Sequence, residues 1–182
     1  KYILPTFLKT AKKLQLRYPS LVVYLPSCRR VFDEKFRNGL EKYEIKGKVI
    51  SQQDDSELMP YIYSLAKLAL CKSGTVNMEL ALYGIPQIIG YRVSRVTAFI
   101  AKRILNFKVK FISPVNLLMK KFIIPEFVQK NFNEKKIFYK ACRLLDLTSE
   151  KAKIKKGYAL LKKELGEEGG VDRAAKEIIN SI

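Results

Sequence analysis

Leu68-Ala-Leu-Cys-Lys-Ser-Gly-Thr-Val-Asn-Met-Glu-Leu-Ala-Leu-Tyr-Gly-Ile-Pro-Gln-Ile-Ile-Gly90 places two short apolar runs, Leu68–Cys71 and Gln87–Gly90, on either side of a segment with helical spacing. Runs this short and this apolar read as buried strands. The helix between them opens directly after Lys72-Ser-Gly-Thr75 and is stopped by Gly84 and Pro86. A strand, a tight turn into a helix and a second strand form one β-α-β unit, whose crossover brings the two strands parallel.

The same alternation extends outward. Ile3–Tyr18 repeats apolar residues at Ile3, Leu4, Phe7, Leu8, Ala11 and Leu14, a helical stripe ended by Pro19-Ser20. Leu21–Leu25 reads as a strand buried on both faces, Arg29–Tyr43 as a helix, Lys48–Ser51 as a strand and Leu58–Leu65 as a short helix. Downstream, Ser94 caps a helix to about Leu105, and Val109–Ile112 supplies a fifth strand. After Asn116 the pattern turns helical, through Pro125 to about Lys130, Asn133–Leu145, Thr148–Leu165 and Asp172 to the end. The fold class is therefore α/β, a Rossmann-like, mainly parallel sheet with helices on both faces, followed by C-terminal helices. Residues 1–182 read as one Rossmann-like domain in which 133–182 is a helical extension. A chain of this length buries roughly 70% of its unfolded surface, enough for a true core.

Composition removes whole classes of chemistry. There is no histidine, so a Ser-His-Asp triad, a Cys-His pair and a His-ligated metal are excluded from this chain. Cys28, Cys71 and Cys142 are widely spaced, without a C-x-x-C, and read as reduced, small apolar residues of a cytosolic protein. No apolar run approaches the ~20 residues of a membrane span. The opening stretch reads as helix rather than as a leader, which suits a piece of a longer protein. Lys and Arg number 35 against 17 Asp and Glu, a net charge of +18. That excess suits anionic partners such as nucleotides, nucleic acid or acidic headgroups, and equally an ordinary solvated lysine-rich surface.

In a doubly wound sheet the ligand sits beyond the carboxyl ends of the strands, at helix N-termini. Ser73, Gly74 and Thr75 are built for that place. Two hydroxyls and a side-chain-free backbone lie where unpaired N–H groups and the helix dipole attract phosphate, although Ser73 as a plain N-cap and Gly74 as turn chemistry also fit. Glu79 follows Thr75 by four residues, on the same helical face, where a carboxylate can accept from ribose hydroxyls or remain a solvated charge. Asp54-Asp55 reads as turn and capping chemistry rather than a metal site.

Ser73-Gly-Thr-Val-Asn-Met-Glu-Leu-Ala-Leu-Tyr-Gly-Ile-Pro86, Gly90-Tyr-Arg92, Asn116-Leu-Leu and Ile124-Pro-Glu-Phe-Val-Gln129 together resemble the C-terminal half of the lipid-A-disaccharide synthase family. The Ser-Gly-Thr helix alone is shared by many GT-B glycosyltransferases and sugar-nucleotide epimerases, which stay as alternatives; the combination is more specific. The resemblance implies the nucleotide-holding half of a two-domain glycosyltransferase that moves a diacylated glucosamine from UDP to a lipid monosaccharide phosphate. It implies that Ser73, Gly74 and Thr75 cradle the diphosphate, that Glu79 binds ribose, and that Arg92 pairs with phosphate. By the same similarity Asn116 contacts the uracil or the donor sugar, and Glu126 and Gln129 match the family pattern. Tyr91 stacks on a ring or closes the core, the core being favoured, and Pro125 beside Glu126 is also an ordinary helix start.

The family's Gly-Ser-Arg loop and catalytic aspartate belong to sequence that precedes this stretch, so no catalytic residue is expected here. The implied partners are a UDP-diacylglucosamine donor, a lipid monosaccharide phosphate acceptor and an N-terminal half; neither cofactor nor metal is implied. Homodimer formation is left open. Val96–Ile112 mixes Phe99, Ile100, Ile104, Leu105, Phe107 and Phe111 with Arg95, Lys102, Arg103, Lys108 and Lys110, which suits peripheral contact with the inner face of a membrane or a core-facing helix and buried strand. A basic nucleic-acid-binding module is the non-enzymatic alternative, unsupported by any aromatic platform.

Overall fold

Helix α1, Leu4–Arg17, begins with Pro5 in its first turn, where a missing N–H costs no helical bond. The computed structural model describes residues 2–51, 58–94, 110–166 and 169–181. After α1 come β1 (Val23–Ser27), a 3-10 turn, α2 (Asp33–Lys42), β2 (Gly47–Ser51) and α3 (Leu58–Leu65). β3 (Ala69–Lys72), α4 (Val76–Leu82) and β4 (Gln87–Tyr91) form the expected β-α-β unit, with Cys71 opposite Ile89 in parallel register. Helix α5 (Pro114–Met119), β5 (Glu126–Val128), a second 3-10 turn, α6 (Glu134–Asp146), α7 (Thr148–Leu165) and α8 (Gly170–Asn180) complete the described elements.

Among the described residues all strand pairs are parallel, but they fall into two sheets, β1–β2 and β3–β4–β5, where the sequence suggested one. Helices bridge them. On α1, Leu8 and Ala11 pack with Leu40, Ile45, Val23 and Leu25 around the first sheet, while Leu14 and Phe7 join the core around β4. Met59 and Ile62 of α3 fill the space between Ile50 of β2 and Ala69 and Cys71 of β3.

Among the described strands, β4 is the one buried over its first four residues, as befits a strand with neighbours on both edges. β1 alternates instead, with Tyr24 and Pro26 exposed, so its apolar run does not mark burial on both faces. Gly90 explains the closeness of α1 to β4: an added Cβ would lie 2.6 Å from Phe7 Cζ and would collide with the Phe132 ring. Those two rings meet edge to face at 5.2 Å.

Three stretches depart from the sequence expectation. Residues 110–112 form no strand; the fifth strand is Glu126–Val128, placed where a helix from Pro125 was expected. Proline is tolerated at a strand's start as well as at a helix's start, and here its carbonyl accepts from Ile89 N–H at 2.9 Å, which seats the β-branched and aromatic run beside β4. Ser113-Pro114 starts a helix missed at this position, with the Ser113 hydroxyl accepting from Asn116 N–H at 3.2 Å. The helix expected from Ser94 to Leu105 and the Asp54-Asp55 loop lie outside the described residues.

Helices α6 and α7 share the main core. Ile137, Ala141 and Leu144 of α6 and Ile154, Tyr158 and Leu161 of α7 are buried with Ile88 and Ile89. Tyr158 donates its hydroxyl proton to the Ile85 carbonyl and accepts from Gln87 Nε2, both at 3.0 Å, while Gln87 Nε2 also donates to the Asn77 carbonyl at 2.9 Å. This buried, satisfied network ties α7 to the base of α4.

Candidate functional site

Parallel register puts the carboxyl ends of β3, β4 and β5 on one edge of the sheet: Lys72 lies opposite Gly90, Gly90 opposite Phe127, and Tyr91 opposite Val128. The residues that follow these strands gather there. They are Ser73, Gly74 and Thr75 after β3, Arg92 after Tyr91 of β4, and Gln129 after β5.

The Ser73–Thr75 loop is held from beneath. Asn77, fully buried in the first turn of α4, accepts from Gly74 N–H at 2.9 Å and donates to the Lys72 carbonyl at 3.2 Å and to Cys71 Sγ at 3.3 Å. One carboxamide therefore ties the middle of the loop to the end of β3. Burial pushes the Cys71 thiol up to about 12, so it stays protonated and packs here instead of reacting.

Ser73 does not cap α4; its hydroxyl donates to the Ile112 carbonyl, and the cap position belongs to Thr75, whose side chain makes no capping bond and is exposed. Among the described residues the N–H groups of Thr75 and Val76 make no hydrogen bond, as expected at the open end of a helix. A Cβ added at Gly74 would meet no atom of the described residues within 4 Å, so among them the backbone there faces open space.

Glu79 is exposed one turn below Thr75, its N–H 3.5 Å from the Thr75 carbonyl. It stands near Tyr63, whose hydroxyl is pushed up to about 12, first by burial and then by the negative charge of Glu79. Tyr63 and Tyr83 pack with ring centroids 5.0 Å apart. Arg92 is exposed at the sheet edge, Tyr91 is half-buried at the end of β4, and Gln129 occupies a left-handed turn with φ +51°.

Asn116 and Glu126 lie beneath this edge and are spent on the protein. Asn116 is fully buried; its amide donates to the Ile124 carbonyl and to Glu126, each at 2.8 Å, and its oxygen accepts from Ile123 and Ile124 N–H at 2.8 and 3.0 Å. Glu126 also accepts from Ile112 N–H and Ser113 N–H at 2.9 Å and from the Ser113 hydroxyl at 2.6 Å. The two side chains clamp the 112–116 turn, and Ser73 joins that turn to the loop through Ile112. Asn77, Ser113 and Gln87 carry much of this scaffold and escaped the sequence reading. The available signal was polarity inside apolar stretches, such as Asn77 in Val-Asn-Met and Gln87 beside Ile-Ile.

Among the described residues no group of three or more His, Cys, Asp or Glu side chains could hold a metal ion. The arrangement offers a loop of open N–H groups, flanking hydroxyls and a cation at the edge of a parallel sheet, which suits an anionic, phosphate-bearing ligand.

The family model described as lipid-A-disaccharide synthetase matches residues 1–181. Among similar proteins, lipid-A-disaccharide synthase of Prochlorococcus marinus (strain MIT 9313) is 44% identical over 180 residues, covering 99% of this chain and 46% of that protein. The synthase of Gloeothece citriformis (strain PCC 7424) is 34% identical over 182 residues, covering 100% and 46%, and that of Synechocystis sp. is 34% identical over 179, covering 98% and 44%. The chain thus spans about half the length of the curated relatives it matches. With a Ser-Gly-Thr loop locked at the carboxyl edge of a parallel sheet and a family match along nearly its whole length, the chain belongs to the lipid-A-disaccharide synthetase family.

Proposed function

We propose that this chain is the nucleotide-sugar-binding half of a glycosyltransferase that moves a diacylated glucosamine from UDP to a lipid monosaccharide phosphate in lipid A assembly. The observation that carries the reading is the Ser73–Thr75 loop: pinned by Asn77 and Ser73 and, among the described residues, open above Gly74 and presenting the unbonded N–H groups of Thr75 and Val76.

In this reading the loop and helix end hold the diphosphate of UDP, and Arg92 adds a cation beside it. Glu79 accepts from the ribose hydroxyls, with Tyr63 and Tyr83 beside it. Asn116 and Glu126 serve the site by fixing the 112–116 turn, while Tyr91 and Gln129 shape its rim. During transfer the bond from the anomeric carbon to the diphosphate oxygen breaks, and its electron pair leaves on UDP. Fixed N–H dipoles and Arg92 favour that developing charge, so this half serves the leaving group. The acceptor hydroxyl attacks the anomeric carbon, and its proton goes to a carboxylate base supplied by an N-terminal half.

The lipid substrates suit a protein working at the cytoplasmic face of a membrane, and no helix among the described residues is long and apolar enough to cross one. The test is calorimetric titration with UDP, AMP and a short DNA at moderate salt. Selective UDP binding, weakened at least about tenfold by Glu79→Ala and by Thr75→Val, supports the reading; one such factor corresponds to about 1.4 kcal/mol. Salt-sensitive DNA binding without UDP preference would sink it.

A further inference from the structure

Helix α5 turns an apolar face outward where a surface helix is ordinarily polar. Val115 and Asn116 are buried and Met119 packs on the main core, so the opposite side carries Leu117 and Leu118, each 49% exposed. Phe122 follows at 65% exposure. Lysines border these side chains. Lys120 and Lys121 are exposed between Leu118 and Phe122, and the Lys110 ammonium lies 5.3 Å from the Phe111 ring centroid. Phe111 in turn meets Phe122 edge to face at 4.7 Å, which brings Lys110 to the same patch. No acidic residue occurs from Lys110 to Ile123, and the next one, Glu126, points into the clamp described above.

We propose that this face is a membrane contact: Leu117, Leu118 and Phe122 enter the boundary between headgroups and acyl chains of an anionic bilayer, while Lys110, Lys120 and Lys121 meet its lipid phosphates. Three large exposed apolar side chains within six residues gain by leaving water, and lysine stems lie along apolar surface while their ammonium groups stay at the headgroup level. The charge complementarity selects an anionic surface over a neutral one. The patch also sits close to the loop. α5 has six residues, roughly 9 Å of helix, and its N-terminal turn is the one that Ser73 grips through Ile112. Docking here holds the Ser73–Thr75 loop near the lipid surface, where an acylated donor reaches it with its chains still in the bilayer. That last consequence rests on the proposed function; the lipid contact does not.

The chain contains no tryptophan, so Phe122→Trp installs a single reporter. Tyr139→Trp is the control, because Tyr139 is equally exposed at 66% and stands among Lys135, Lys136 and Lys140 on α6. With phosphatidylglycerol-containing vesicles, emission from position 122 shifts to the blue and is quenched by lipids brominated in the acyl chain, while position 139 does neither. Leu117→Ser with Leu118→Ser and Phe122→Ser lowers vesicle partition at least about tenfold, the order expected when such side chains lose their burial. Lys110→Ser with Lys120→Ser and Lys121→Ser removes the preference over phosphatidylcholine.

An equal response at positions 122 and 139 would show adsorption through the overall positive charge and overturn the proposal. So would unchanged partition of the apolar variant. Circular dichroism checks the fold of each variant, and the tryptophan reporter decides the matter even where the triple variant does not fold. UDP titration of the same samples keeps the two readings apart: vesicle binding without UDP binding counts against the nucleotide site alone.

Discussion

Replacing Glu126 by alanine removes the acceptor of four hydrogen bonds, from Ile112 N–H, Ser113 N–H, the Ser113 hydroxyl and the Asn116 amide. The Ser113 hydroxyl is fully buried and loses its acceptor, while Asn116 keeps the Ile124 carbonyl as a partner. The two backbone N–H groups cannot move without dissolving the turn. Hydrogen bonds to a charged acceptor contribute about 1.5–3 kcal/mol each, and partial access of water to the half-buried Glu126 returns some of that, leaving an expected loss of about 2–4 kcal/mol. Glu126→Gln should cost less, about 1–2 kcal/mol. Its carbonyl oxygen can keep the three bonds made by Oε1, while its NH2 faces the Ile112 N–H that Oε2 now accepts. Because Ser73 holds Ile112, both variants should also weaken UDP binding, alanine by about tenfold or more, equivalent to about 1.4 kcal/mol. Urea unfolding with m-values, followed by UDP titration, gives both quantities. An alanine variant within about 0.5 kcal/mol of the parent, the ordinary range for an unremarkable surface change, would refute the clamp.

Two glycines should behave oppositely. Gly74→Ala meets no atom among the described residues, so unfolding midpoints should stay unchanged while UDP binding weakens, because in the proposed site the new methyl stands where the phosphate approaches. Gly90→Ala forces its methyl onto Phe7 and Phe132 and should cost at least about 1–3 kcal/mol by thermal or urea unfolding. Tyr158→Phe leaves the Ile85 carbonyl without its donor and should cost about 1–2 kcal/mol in the same assay. Acid should destabilise the chain partly through Glu150, whose carboxyl is held below its ordinary value of 4.5 first by the hydrogen bond from Lys140 and also by that from Arg143. A lowered native pKa stabilises above the unfolded value and is lost as pH falls through the native one. Unfolding of Glu150→Gln should therefore show a shallower loss below about pH 4.5 than the parent.

The Ser73–Thr75 loop and its strand-turn-helix setting were legible because each part is local: an apolar run, small turn residues, then helical spacing. What the loop does with its side chains was not. Ser73 could be read as a cap or as a phosphate ligand, and its hydroxyl reaches across 39 residues to Ile112, a partner no local pattern predicts. β5 was missed for a similar reason. Pro125 is compatible with the start of either a helix or a strand, and only the waiting N–H of Ile89 on β4 decides for strand. Asn116 was recognised as important by resemblance, but a sequence does not show which way a carboxamide points; burial turns this one into the protein. The division into two sheets likewise depends on which edges meet, and β1's own apolar run does not specify a second neighbour.

The most direct test of the nucleotide-binding account is amide hydrogen exchange of the chain with and without UDP. The account predicts added protection concentrated at Gly74–Glu79 and around Tyr91–Arg92, with little change along α6. Protection spread over the lysine-rich surface of α6, or none at the Ser73–Thr75 loop when UDP is saturating, would contradict it.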